Sequence, residues 1–134
     1  MTTPTPARRP GVTVPVQLRF ADLDPLGHVN NVAFFTLMET ARVQFMHEFG
    51  GTLRGHVLVA RSECDHRREI PALTRVVEVS VQVESVGRTS FLLRHDLSDA
   101  GVEVGAGRVV LVAVDEQRRP RPVTDLERAQ LLGS

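Results

Sequence analysis

Between Asn30 and Phe49 the chain carries a helical apolar pattern too wide for a helix resting loosely on a flat surface. Phe34, Leu37, Met38, Ala41, Phe45 and Phe49 recur at three- and four-residue steps, the period of one helix face. Thr36, Glu39, Thr40, Gln44 and His47 gather on the opposite side, while Phe35 and Met46 broaden the apolar face. Four of the protein's six Phe residues lie in this segment. At 3.6 residues per turn it is a helix of about five turns, and its composition predicts a central helix gripped by a curved sheet. Gly50-Gly51 marks its end.

The rest of the chain supplies that sheet. Val12 to Phe20 alternates apolar and polar residues, the two-residue period of a half-buried strand, and Pro15 assigns it to an edge or an irregular start. His56–Glu63, Arg75–Val86, Thr89–Leu97 and Gly105–Val114 are rich in Val and Leu and separated by turn signals at Ile70-Pro71, Val86-Gly87-Arg88 and Ser98-Asp99-Ala100-Gly101. Short links between the later strands predict antiparallel neighbours. Thr124 to Leu132 reads as a short C-terminal helix with Thr124 as cap and Leu126, Ala129 and Leu131 as anchors. The expected fold is α+β, a five-stranded antiparallel sheet around one long helix. One domain spans residues 12–134, and residues 1–11, with three Pro and the Arg8-Arg9 pair, form a solvated tail. A five-stranded sheet has two open edges, so a homodimer joining edge strands is expected.

Composition narrows the function classes. Sixteen Arg balance sixteen acidic residues, which removes the electrostatic reason to expect nucleic acid or an anionic membrane as partner. No apolar run approaches the roughly 18 residues of a membrane span, and the N-terminal MTTPTPARRPG lacks a secretory apolar core. The single cysteine, Cys64, excludes an intrachain disulfide framework. A cytoplasmic protein is expected.

The chemistry-bearing residues collect where the first strand feeds the helix. Arg19 to Arg42 reads RFADLDPLGHVNNVAFFTLMETAR, with Asp22 and Asp24, a Pro-Leu-Gly turn, His28, and the chain's only two Asn, Asn30 and Asn31. They stand at a helix start whose first N–H groups lack intrahelical partners. Helix capping accounts for one or both Asn, and Asp before Pro-x-Gly is also common in plain turns.

The pattern D-x-D-P-x-G-H-V-N-N at Asp22 to Asn31, followed by E-x-A-R at Glu39 to Arg42, resembles the hotdog-fold acyl-CoA thioesterases of the 4-hydroxybenzoyl-CoA thioesterase type. The likeness extends from about Val14 to Val123 and includes Glu63 to Pro71, the turn at Val86 to Phe91, and Val112 to Asp115. It implies a helix wrapped by a sheet, paired into dimers or dimers of dimers, with thioester sites at the subunit interface. It also implies acyl-CoA as substrate, or less readily acyl-carrier-protein, hydrolysed to acid and thiol. The second Asp of D-x-D is the catalytic carboxylate in that type and maps onto Asp24. The H-V-N-N tetrad is also similar to plant acyl-carrier-protein thioesterases, whose Asn and His stand two and four residues after the Asp; here those positions are Leu26 and His28, so only the His is matched.

Thioester hydrolysis needs a carboxylate to activate water or attack directly, and donors where charge develops on the carbonyl oxygen. Asp24 is the candidate base or nucleophile, the N–H groups from Val29 to Val32 are the candidate oxyanion donors, and His28 or Asn30 orients water or thioester. Asn31 and Val32 complete the substrate-facing junction. Coenzyme A would bring phosphates, which makes Arg67, Arg68 and Arg88 candidate contacts; by family likeness Ser90 and the backbone around Gly87 lie near the pantetheine arm, and Thr89 is counted among the substrate-binding residues. No metal or organic cofactor is required.

Bland readings stand beside several of these. Asp22 holds the loop, Glu39 forms an i,i+3 ion pair with Arg42 although another hotdog subgroup places its carboxylate on the helix, and Arg118, Arg119 and Arg121 face solvent or form a phosphate patch. Cys64, Asp65 and His66 do not make a metal spacing and read as a strand-end turn. The rival functions are a non-catalytic acyl-CoA binding or sensing module and a hydratase on the same fold.

Overall fold

In the computed structural model, residues 10 to 133 are described; the expected tail, including Arg8 and Arg9, lies almost wholly outside them. Strands β1 (Gly11–Gln17), β2 (Val57–His66), β3 (Val76–Val86), β4 (Ser90–Asp99) and β5 (Val102–Ala113) form one antiparallel sheet in the order β1-β3-β4-β5-β2. Helix α1 (Ala33–Phe49) packs across its inner face and α2 (Asp125–Leu132) closes the chain. The ladder register breaks at Val59/Arg61, Val83/Ser85 and Leu97/Ser98. Such bulges bend and twist a sheet, which is how five strands curve around one helix.

The buried face of α1 is the one its spacing predicts: Phe34, Leu37, Met38, Ala41 and Phe45 are at most 2% exposed. They meet inward residues of the central strands, Val77, Val79, Val81 and Val83 on β3 and Phe91, Leu93 and Leu97 on β4. Two glycines of β5 set how closely the helix approaches. A Cβ on Gly105 would stand 3.2 Å from the Phe34 ring, and one on Gly107 would lie 2.6 Å from Met38 Sδ and 2.8 Å from the Glu63 carbonyl oxygen. The helix therefore rests on a strip where the sheet has no side chains.

Several boundaries differ from the sequence expectation. The first strand ends at Gln17, because the backbone turns into a 3-10 helix at Phe20–Asp22; it begins at Gly11, inside the expected tail. Helix α1 starts at Ala33 rather than Asn30, since residues 31 and 32 form the turn that leads into it. Cys64, Asp65 and His66 are strand residues paired with Gly107, Ala106 and Gly105, not a turn. Phe35 is 37% exposed and does not widen the buried face, whereas Met46 does. Leu126 is 66% exposed and no anchor of α2; Leu131 holds that helix to the core.

Arg121 is a further correction, because it does not face solvent freely. Its guanidinium meets both carboxylate oxygens of the buried Glu127 at 2.8 Å. The Thr124 backbone N–H and the Thr52 hydroxyl donate to the same carboxylate, so one buried anion joins α2 to the turn after α1. Arg121 chiefly, against the opposing effect of burial, pulls the Glu127 carboxyl down to about 2.

The β4–β5 link is a two-residue loop in which Ala100 and Gly101 have φ of 48° and 82°. Alanine is poorly suited to that left-handed region, while Asn tolerates it. Ala100→Asn is expected to raise unfolding free energy by about 0.5–1 kcal/mol, measured by urea denaturation at unchanged slope.

Candidate active site

The junction is a small hairpin braced from both sides. After β1, the Leu18 N–H donates to the Arg75 carbonyl at 2.8 Å. The buried Asp22 carboxylate accepts the Arg19 backbone N–H at 2.8 Å and pairs with its guanidinium at 2.9 Å. Burial alone would raise the Asp22 carboxyl, but its hydrogen bonds and ion pair with Arg19 outweigh that and hold it below the ordinary value. The Asp22 carbonyl accepts the Asn30 N–H at 2.7 Å. Asp22 is a structural brace, as its bland reading had it.

Asp24 opens a turn. Its backbone N–H donates to the His28 carbonyl at 2.9 Å, and its Oδ1 accepts the Leu26 N–H at 2.9 Å and the His28 N–H at 3.5 Å. Oδ2 is left facing the imidazole, with His28 Nδ1 at 3.2 Å. Both side chains are mostly buried yet still reached by solvent, 17% exposed for Asp24 and 25% for His28. The arrangement follows from local sequence, since an Asp before Pro-x-Gly folds its own carboxylate back onto the turn N–H groups.

A second loop completes the junction. The Val29 N–H donates to the Ile70 carbonyl at 2.9 Å, the Ala72 N–H to the Gly27 carbonyl at 3.3 Å, and His28 bridges to Pro71. This places Glu69, a residue the sequence reading did not single out, with Oε1 3.8 Å from His28 Nε2.

The helix entrance offers fewer open donors than expected. The N–H groups of Val29, Asn30 and Val32 are all used, the last by Asn30 Oδ1 at 2.8 Å. Among the described residues, the Asn31 N–H is the one of that set with no hydrogen-bond partner. Asn30 is therefore not the helix cap its position predicts: the N-cap is Val32, which has no side-chain cap, and Asn30 Oδ1 closes the turn just ahead of it, with Asn31 and Val32 exposed beside it.

Other candidates lie elsewhere. Glu39, 70% exposed, has Oε2 4.0 Å from Arg42, the loose i,i+3 pair its spacing predicts. Arg67 follows β2 and stands 3.6 Å from Glu103. Arg88, Thr89 and Ser90 sit at the β3–β4 turn, at the far end of β3 from Arg75. Eleven residues of strand separate the two ends, about 33 Å. One chain does not bring Asp24 and Arg88–Ser90 together. A groove of about 370 Å³, lined by Arg42, Val43, Met46, Val57, Val59 and Leu111, runs between α1 and the open edge β2. Among the described residues, no three His, Cys, Asp or Glu side chains converge as a metal site requires.

With this geometry in view, comparison with known proteins is informative. The thioesterase-like superfamily model matches residues 18–131, which takes in the whole junction, the helix and the sheet beyond β1. The chain belongs to the thioesterase-like superfamily. A thioesterase from Thermus thermophilus, solved with coenzyme A and Zn, is 36% identical, with a TM-score of 0.82 and 92% of each chain covered. A predicted thioesterase from Bacillus stearothermophilus is 26% identical, with a TM-score of 0.81, over 90% of this chain and 93% of that one. The uncharacterized protein YsmA of Bacillus subtilis is 29% identical over 123 residues, covering 87% of this chain and 82% of its own. The hotdog architecture expected from the motif is the one observed, and thioester hydrolysis is the general chemistry of this thioesterase. Among the described residues, no helix is long and apolar enough to cross a membrane.

Proposed function

We propose that this thioesterase hydrolyses acyl-CoA, with Asp24 as general base. The observation that carries the reading is the Asp24 carboxylate itself: Oδ1 is held by the Leu26 N–H, which aims Oδ2 at the junction beside His28. Oδ2 takes a proton from water, the water oxygen adds to the thioester carbonyl, and the carbon–sulfur bond breaks. The Asn31 N–H, at the positive end of α1, is the backbone donor open to the carbonyl oxygen as its charge develops.

The site we infer is shared by two copies. Strand β2 is an open edge with Leu58 and Val59 exposed, which a second chain covers economically. Antiparallel pairing of β2 with its symmetry mate sets the Val57 end of one copy opposite the His66 end of the other. Val57 and Val59 line the groove, and the His66 ring lies 4.5 Å from Phe34 in the first turn of α1. The groove of one copy then faces the junction of the other. The same operation reduces the separation between Asp24 and the turn carrying Arg88, Thr89 and Ser90.

The test follows thiol release from acyl-CoAs of varied acyl group and from an acyl-carrier-protein thioester, alongside the mass in solution. Turnover of CoA thioesters by a dimer or larger assembly is expected. Tight acyl-CoA binding without turnover would instead identify a binding module.

A further inference from the structure

We propose that Glu69 is a positioning residue that aims the His28 imidazole so that its Nε2 proton reaches the departing thiolate. This rests on the thioesterase reading above and adds to it a proton donor and the group that orients it.

His28 stands between two carboxylates, with Nδ1 3.2 Å from Asp24 Oδ2 and Nε2 3.8 Å from Glu69 Oε1. Asp24 fixes one side of the ring. A proton on Nε2 faces the Glu69 carboxylate at ion-pair distance, and the Glu69 side chain, 80% exposed, is free to approach it. Its backbone position is set independently of that side chain, through the Val29–Ile70 and Ala72–Gly27 hydrogen bonds and the His28–Pro71 bridge. Glu69 is thus delivered beside His28 by the fold. No buried charge network requires its carboxylate.

Hydrolysis gives that arrangement a task. Water surrenders one proton to Asp24 and its oxygen bonds to the acyl carbon, while the carbon–sulfur bond breaks and the electron pair stays on sulfur. An alkyl thiolate is a more basic leaving group than an aromatic one, and a proton delivered to sulfur as the carbon–sulfur bond breaks speeds its departure; thiols of this type ionise near pH 8.5. The ring, protonated on both nitrogens with Nδ1–H toward Asp24 Oδ2, gives its Nε2 proton to sulfur and becomes neutral, leaving free thiol and acid. The proton taken up by Asp24 returns to the solvent pool from which His28 is reprotonated, so atoms and charge balance. Glu69 holds the ring with Nε2–H outward between turnovers, and a ring without that partner turns away.

Leaving-group dependence separates this role from a structural one. The same acyl group is presented as its CoA thioester and as a thioester of an electron-poor aromatic thiol, whose thiolate departs unprotonated. Glu69→Gln is expected to lower kcat on acyl-CoA about tenfold with KM little changed, to leave the aromatic thioester within about twofold, and to be partly rescued by Glu69→Asp. Equal losses on both substrates, or no loss on acyl-CoA, would overturn the proposal. No turnover of either substrate by the wild type would overturn the thioesterase reading itself.

Discussion

Asp24→Asn is expected to lower kcat on acyl-CoA by roughly two to four powers of ten, the range a positioned general base contributes, while leaving the fold intact. Asn keeps a side-chain oxygen where Asp24 Oδ1 accepts the Leu26 and His28 N–H groups, so the turn retains its bonds. What changes is Oδ2, the atom facing His28, which becomes an amide nitrogen unable to take a proton. KM should move little, because the lost interaction belongs to the transition state. The comparison that sharpens this is Glu39→Gln. Glu39 lies on an exposed turn of α1 at the wall of the groove beside β2, with a loose contact to Arg42 and no partner aimed at it from the Asp24 turn, and its loss is expected to change kcat less than twofold. Near-wild-type activity in Asp24→Asn together with a large loss in Glu39→Gln would move the catalytic carboxylate onto the helix. Circular dichroism and thermal midpoints on both variants confirm that the difference is chemical.

The central helix was legible in the sequence because its signal is periodic and hydrophobic: Phe34, Leu37, Met38, Ala41 and Phe45 report both their conformation and their burial. Strands were legible for the same reason, with ends misplaced by one to three residues: polar strand residues look like loop at Cys64–His66, while the pattern runs on past Gln17 where the backbone turns. The candidate carboxylate was readable because the turn that holds it is local. Glu69 was not, since its meeting with His28 depends on backbone pairing between segments some forty residues apart. Arg121 and Glu127 look like two surface charges, and only the packing of α2 buries one of them. Gly105 and Gly107 were invisible as helix seats for the reverse reason. A glycine announces a missing side chain, but nothing in its neighbours says that Phe34 and Met38 fill the space.

The same packing makes stability depend on acidity through His95. This β4 residue is fully buried, and neither ring nitrogen makes a well-formed hydrogen bond, the backbone of Leu93 and Gly107 offering it weak ones. Burial first, and then the positive charge of Arg42 from α1, push it from its ordinary 6.5 down to about 4; the backbone at Leu93 and Gly107 and the Asp96 carboxylate oppose part of that. The sign follows from proton uptake. Below pH 6.5 the unfolded chain binds a proton that the folded chain refuses, so stability falls as pH drops and levels off near pH 4. A loss of about 2 kcal/mol between pH 7 and 4.5 is expected from this group. Glu127 acts in a lower window, because its carboxyl is held to about 2 against an ordinary 4.5. Its contribution is complete above 4.5 and disappears as pH falls toward 2. His95→Leu should abolish the upper limb and keep the lower one. It should also cost little at pH 7, since an apolar side chain removes two buried nitrogens that are poorly satisfied. Urea unfolding of both proteins at intervals from pH 7 to 3 checks it: an upper limb persisting in His95→Leu would mean that another group refuses the proton. The result also bears on how α1 is seated, because the charge that helps keep His95 neutral comes from Arg42 on that helix, which follows the turn carrying Asp24.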